Sequence, residues 1–469
     1  MVEKIIFPVT RIHEPLLVRA EVEQGQVKDA WLGGTMYRGF ELMLEKRTPV
    51  DIILFSQRIC GICSTAHGIA AVLAIEQAYK LKPLPAGELL RNIMFAADIL
   101  QNHLRHFYLL TLPDYVKGPD RAPFTPTSTK DFRIPKQLND EMMDHYWKGA
   151  EMAAYAHQIL AIFGAKAPHQ QTIYPLGVST PIDSEKIMMA RSLVDKITTF
   201  VEHFMLRDAE TLGKYYADYF KIGVGYRNLM SFGMFPQGSK GKRVITGGIV
   251  ENGGTEIKPI DQKLIKEDVT FALYEDTVAT RHPANGKTQA VTEKNEAYTW
   301  VKAPRYAGKP FEGGPLAREW ISGRYQRGIS TMDRIIARCL EAHRICRLLD
   351  EWLQLLQPGQ PTIAPYDEPS EGEGVGLTDA MRGCLGHWIS FKNGRSTHFQ
   401  TITPTAWNFS PRDAQGQRGP VEQALLNTPI ENVDELIEVG RVVRSFDPCF
   451  SCAIHLITPS GDISRFRIS

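Results

Sequence analysis

The chain has 469 residues, 43% of them hydrophobic, and a net charge of +1 from 54 basic and 53 acidic side chains. This is the make-up of a globular protein long enough for a large core, and no basic run marks a nucleic-acid footprint. No stretch approaches the roughly 18 apolar residues that suggest a transmembrane helix, and Met1 to Ile12 lacks the apolar segment of a secretory signal.

Residues 1–50 alternate apolar and polar positions, with turn signals at Glu14-Pro15, Glu23-Gln24-Gly25 and Gly33-Gly34, which predicts a β meander. Gln57 to Lys80 carries a first cysteine pair and then a helical pattern through Ile69, Ala70, Val72, Leu73 and Ile75. Long amphipathic patterns over Ala86–Leu110, Leu138–Phe163 and Ser184–Phe220 predict a helical-bundle core. Residues 221–311 are rich in Gly, Thr and Val, with Gly247-Gly248, Asn252-Gly253-Gly254 and Asn285-Gly286, and predict an antiparallel β insertion. Helical periodicity returns over Leu316–Leu356, followed by a Pro/Gly-rich acidic loop from Pro358 to Gly376 and strands between Thr378 and Thr405. A last helix is expected around Asn432–Val439, just before a second cysteine pair. The fold class is α+β: one domain over residues 1–469, with a large helical-bundle core and peripheral antiparallel β segments.

Seven cysteines are too few, and odd in number, for a disulfide scaffold. Cys339, Cys346 and Cys384 read as small core residues. The other four form two matched motifs, Arg58-Ile59-Cys60-Gly61-Ile62-Cys63-Ser64-Thr65-Ala66-His67 and Asp447-Pro448-Cys449-Phe450-Ser451-Cys452-Ala453-Ile454-His455. Each Cys-x-x-Cys turn places two soft donors on one side of a tight loop, and thiolates select zinc, nickel, copper(I) or iron–sulfur iron. A zinc ribbon closes over about 15–20 residues; these pairs lie at opposite ends of the chain, so a shared site has to be built by the whole fold. Two redox dithiols, a structural zinc site, a four-cysteine iron–sulfur cluster and a catalytic thiolate-held metal all suit the donors.

The flanking residues resemble the large subunit of [NiFe]-hydrogenases, which carry R-x-C-G-x-C-x-x-x-H near the start and D-P-C-x-x-C-x-x-H near the end. The resemblance runs along the chain through Tyr37-Arg38-Gly39-Phe40-Glu41, His106-Phe107-Tyr108 with Asp114, Phe163-Gly164-Ala165-Lys166-Ala167-Pro168-His169, Arg382-Gly383-Cys384-Leu385-Gly386-His387-Trp388, Pro404-Thr405-Ala406-Trp407-Asn408 and Ser410-Pro411-Arg412-Asp413. It implies a nickel held by Cys60, Cys63, Cys449 and Cys452. An iron carrying one CO and two cyanides would share Cys63 and Cys452. The implied activity is reversible heterolytic cleavage of H2, which needs a Lewis acid and a nearby base, with Cys449 as the base. An H2-sensing subunit with the same site and low turnover is the alternative.

The same resemblance implies Arg382 over the open coordination position, held by Asp114 and Asp447. Thr405 would donate to a cyanide, His67 would sit near a bridging sulfur, and Lys166 and His169 would support the site. Glu41 and His455 would hold a magnesium ion near the end of the chain. Two departures stand out. The usual R-I-E-G-H is here Arg11-Ile12-His13-Glu14-Pro15, so the proton-relaying Glu is displaced by one residue and His13 takes its place; Glu14 is favoured over His13. Met381 precedes Arg382 where proline is usual. Residues 456–469 would form a tail that a maturation protease removes. With no further cysteine cluster to carry electrons, an iron–sulfur small subunit is the implied partner. The expected location is cytoplasmic, or membrane-associated through partner subunits.

Overall fold

A computed structural model describes residues 2–121, 124, 131–238, 242–276 and 281–450. The chain opens with an antiparallel sheet, β1 (Val2–Ile6), β2 (Leu16–Glu23) and β3 (Gln26–Gly34), in the order β1-β2-β3. The meander ends at Gly34. Two short helices follow, α1 (Phe40–Met43) and α2 (Pro49–Ser56), the latter started by a Thr48–Asp51 capping box. Then come α3 (Ser64–Ala78) and α4 (Pro85–Arg105); α4 widens into a π turn over His106–Thr111, where the uninterrupted pattern predicted plain helix. Helix α5 (Lys136–Gly164) closely matches its predicted span. Past the ribbon β4 (Ile173–Tyr174) and β5 (Gly177–Val178), the predicted helix over Ser184–Phe220 divides into α6 (Ser184–Phe200), a second π turn and α7 (Leu206–Tyr215).

Residues 221–311 do not form one β layer. Among the described residues they hold three separate two-stranded ribbons: β6 (Leu229–Ser231) with β9 (Gly248–Val250), β7 (Met234–Pro236) with β8 (Arg243–Ile245), and β10 (Ile265–Asp268) with β11 (Ala303–Tyr306). The turn residues that signalled hairpins come so often that no strand exceeds four residues. The Leu316–Leu356 helix is broken at Gly323, whose positive φ ends α8 (Pro315–Ile321), and it restarts as α9 (Thr331–Leu355) with Ser330 accepting from the Asp333 amide.

The second sheet is β12 (Gly372–Ala380), β13 (Gly383–Lys392) and β14 (Arg395–Ile402), antiparallel throughout. Strand β12 starts inside the segment that reads as a loop, because its glycines are interface residues rather than turn formers. A Cβ on Gly372, Gly374 or Gly376 would lie 2.7, 1.9 and 1.9 Å from the carbonyl oxygens of Ala78, Ala74 and Ala70. Every second residue of the strand therefore meets every fourth residue of α3, backbone on backbone. Short helices α10 (Pro404–Asn408) and α11 (Pro420–Leu425) follow, then α12 (Ile437–Ser445), which lies C-terminal to its predicted span. Its apolar pattern was hidden by Arg441 and Arg444, which are buried against Asp114.

Helix α11 locks onto β3 through Glu422, fully buried, whose Oε1 accepts from the Leu32 amide (3.1 Å) and the Tyr298 hydroxyl (2.8 Å). Burial pushes this carboxyl up to about 7. A raised folded-state value means a contribution present in full below the unfolded value and lost as pH rises through about 7. The difference corresponds to about 3 kcal/mol. Urea midpoints at pH 5 and pH 8 should therefore differ less for Glu422→Gln than for the wild type; an unchanged gap would contradict the assignment.

Candidate metal centre

The two ends of the chain meet in parallel. The His13 amide donates to the Pro448 carbonyl (3.4 Å), and the Phe450 amide donates to the His13 carbonyl (3.0 Å). This brings Cys449 to the first cysteine loop. That loop leaves the short turn Gln57–Ile59 with Cys60 extended and ends at Cys63, the N-cap of α3. Arg38 steadies it by donating to the carbonyls of Ile59 (2.7 Å) and Arg58 (2.9 Å). Cys60 Sγ accepts from the amides of Ile62 and Cys63, each at 3.3 Å.

Cys60 and Cys449 Sγ are 3.3 Å apart, and the sulfurs of Cys60, Cys63 and Cys449 all lie within 4.8 Å of one another. None is in a disulfide, and their exposures are 1, 3 and 0%. Thiolates packed this closely in a dry interior repel one another unless a cation sits among them. Cys452 and His455, with the 456–469 tail, lie outside the described residues.

Arg382 presents its guanidinium to this cluster from the tight turn between β12 and β13. Burial alone would depress its basicity, but Asp447 and the sulfurs of Cys449, Cys63 and Cys60 together raise it well above the usual value. Its Nη2 donates to Asn102 Oδ1 (2.8 Å) and pairs with Asp447 Oδ1 (3.0 Å). Its Nε and Nη1 are buried and have no hydrogen-bond partner among the described residues. Burial would raise the Asp447 carboxyl, yet Arg382, His106 and Arg338 hold it well below the carboxylate range.

Asp114 does not hold Arg382. Its oxygens take Arg444, at 2.6 and 2.8 Å, and Arg11. Two closer guanidinium groups saturate the carboxylate, so it anchors α12 and the N-terminal strand end instead. The residue in its expected place is Asn102, which also donates to Asp447 Oδ2 (2.7 Å). No motif points to Asn102; the available signal is the run of three consecutive polar residues Gln101-Asn102-His103 near the end of the helix, more than one helix face can turn to solvent.

Glu14 and His13 part company through backbone conformation. Glu14 has φ of +65°, which turns its side chain from the face that simple alternation assigns it, and its Oε2 lies 3.9 Å from Cys449 Sγ. His13 sits in the same charged neighbourhood, with burial and Arg382 lowering its basicity, but it pairs with the Cys449 segment through its main chain. Thr405 Oγ1 accepts from the Cys449 amide (3.1 Å), which leaves its hydroxyl proton free to be donated. His67, on α3, meets His387, on β13, ring nitrogen to ring nitrogen at 3.1 Å. Burial takes His67 down to about 4, so the pair is neutral.

His169 supports the loop through its amide, which donates to Ser64 Oγ (3.1 Å), while Lys166 is exposed. Glu41 is buried, accepts from the Thr288 hydroxyl and the Thr401 amide (3.3 Å), and pairs with Lys302 Nζ (3.1 Å). Cys339, Cys346 and Cys384 are buried away from the cluster, and burial pushes the Cys346 thiol up to about 12.

The sequence profile of the nickel-dependent hydrogenases matches residues 38–122, 116–328 and 321–455. The chain is 34% identical to the periplasmic [NiFeSe] hydrogenase large subunit of Desulfomicrobium baculatum, over 96% of this chain and 94% of that one. It is 30% identical to the hydrogenase-2 large chain of Escherichia coli K12, over 97% and 98%. The crystal structure of the oxidised Ni-Fe-Se hydrogenase of Desulfovibrio vulgaris Hildenborough superposes with a TM-score of 0.94 at 35% identity, over 97% of this chain and 100% of that one.

Proposed function

The chain belongs to the nickel-dependent hydrogenases, and from that premise we propose that it is the catalytic large subunit of an enzyme that reversibly splits H2 into protons and electrons. The observation that carries this reading is the meeting of three buried sulfurs from opposite ends of the chain within 4.8 Å. A nickel–iron centre fits the residues present. The soft donors suit nickel and iron, and the unpartnered Nε and Nη1 of Arg382 suit anionic ligands on a metal. Cys60, Cys63, Cys449 and Cys452 would hold nickel, and Cys63 and Cys452 would also hold an iron carrying CO and cyanide. When bound, the centre supplies the Lewis acid that polarises H2.

The chain's own residues supply the rest. Cys449 Sγ takes the proton, and Glu14 Oε2, at 3.9 Å, passes it outward. Arg382 keeps a fixed positive charge over the cluster, held by Asn102 and Asp447. Thr405 would donate its hydroxyl toward a cyanide, and His67, neutral beside His387, packs next to the Cys63 loop. Glu41 and His455 would share a magnesium ion, Glu41 supplying a buried carboxylate that also pairs with Lys302 Nζ. The family match ends at residue 455, which supports the reading of 456–469 as a tail removed by a maturation protease.

Among the described residues there is no second cluster of metal-ligating side chains. Electrons therefore leave through an iron–sulfur small subunit. No helix among the described residues is long and apolar enough to cross a membrane. Elemental analysis of the mature complex should find nickel and iron, and infrared spectra should show bands of metal-bound CO and cyanide. Zinc alone, with no such bands, would remove the assignment.

A further inference from the structure

We infer that Arg318 is a positioning residue for Arg382, acting with Glu341 and Asp379 as a buried clamp on the turn that carries it. Ala380 pairs with Gly383, so Met381 and Arg382 are the two central residues of the turn. The turn is buried, and a buried carbonyl without a partner is costly. Side chains take the carbonyls of three successive residues. Arg318 Nη1 donates to the Ala380 carbonyl (3.0 Å), Arg318 Nη2 to that of Met381 (2.9 Å), and Asn408 Nδ2 to that of Arg382 (3.3 Å).

Arg318 itself is fully buried and satisfied. Its Nε and Nη2 fork onto Glu341 at 2.6 Å each, and Nη1 also meets Asp379 Oδ2 at 3.1 Å. A guanidinium has five N–H donors, and five acceptors are present. Each anchor is held in turn. Asp379 accepts from the Phe232 amide (2.7 Å) and the Ser231 hydroxyl (2.8 Å), and Glu341 meets His103 Nε2 (2.8 Å) on the helix that also carries Asn102. The clamp thus ties the turn to the same helix, α4, that receives the Arg382 side chain.

Arg382 needs this support because, among the described residues, only one of its three guanidinium nitrogens has a protein partner. Met381 has no ring to fix φ at the turn. The direction of the guanidinium is therefore set by the backbone beneath it. Lysine at 318 would keep the charge but could not reproduce the fork and both carbonyl bonds.

The inference rests on the proposed role of Arg382, and its test separates the two. In the purified complex with its small subunit, Arg318→Lys should lower kcat about 10- to 100-fold, the scale of a misplaced group, with KM for H2 little changed. Arg382→Lys should lower kcat on its own, and Arg318→Lys/Arg382→Lys should be no slower than Arg382→Lys within about twofold. A crystal structure of Arg318→Lys should show the Arg382 Nη2 to Asp447 Oδ1 contact lengthened from 3.0 Å. If that variant does not assemble, Asp379→Asn, which keeps the shape of the anchor, takes its place in every comparison. Losses that multiply in the double variant, or an unmoved Arg382, overturn the clamp. Full kcat in Arg382→Lys overturns the role of Arg382 instead, and the crystal structure still judges the clamp.

Discussion

Replacing Cys449 by alanine is expected to abolish H2 turnover and to leave the complex without nickel. Its sulfur is the one described donor from the C-terminal end, 3.3 Å from Cys60, fully buried, and held in place by Thr405 and by backbone pairing with His13. On the proposed roles, removing it takes away both a metal ligand and the proton acceptor that Glu14 reaches. The neighbouring thiols, left in a dry pocket without the full donor set, would return to the neutral form. Nickel and iron per chain and hydrogen uptake with an artificial acceptor are the measurements. Cys384→Ala, which removes a buried thiol outside the cluster, is the control and should keep both metal and turnover. A Cys449→Ala complex with full nickel and a normal rate would refute the site.

Glu14→Gln should separate proton movement from metal binding. Glutamine keeps the shape of the side chain but cannot accept a proton, so metal content should stay intact while turnover and H/D exchange fall by about 10²- to 10⁴-fold, the usual worth of a positioned acid–base group. His13→Gln should change the rate by only a few-fold. The geometric reason is the 3.9 Å approach of Glu14 Oε2 to Cys449 Sγ, made possible by the positive φ of Glu14. If exchange survives in Glu14→Gln and is lost in His13→Gln, the imidazole is the relay.

What was legible in the sequence followed from local chemistry. The two cysteine motifs read clearly because a tight turn between thiols is a short-range feature, and the long helices read because their apolar period is sustained. What was not legible depended on partners far away in the chain. Asp114 and Asn102 could not be sorted as partners of Arg382 without knowing that Arg444 and Arg11 claim the former. Helix α12 was misplaced because its buried arginines look like surface residues until Asp114 is seen beside them. Strand β12 reads as loop in the sequence because glycine in a strand usually marks a turn or a bulge, and only the tertiary structure shows helix α3 lying against it. The displaced Glu14 is the sharpest case: alternation predicts one face, and a left-handed backbone at Glu14 itself selects the other.

The glycine–alanine seam between β12 and α3 also bears on how this protein can change over time. Cys63 opens α3, and Arg382 lies two residues past the end of β12. Their relative placement is set by main chain resting on main chain, with no side chain long enough to repack and shift the spacing. Substitutions elsewhere in the core can therefore accumulate without retuning the centre. At Gly374 and Gly376 even a single methyl group would wedge the two halves apart. These inconspicuous positions should tolerate less mutational drift than the charged residues that surround the site, and saturation mutagenesis scored by metal retention would display them as a stripe of intolerance two residues apart.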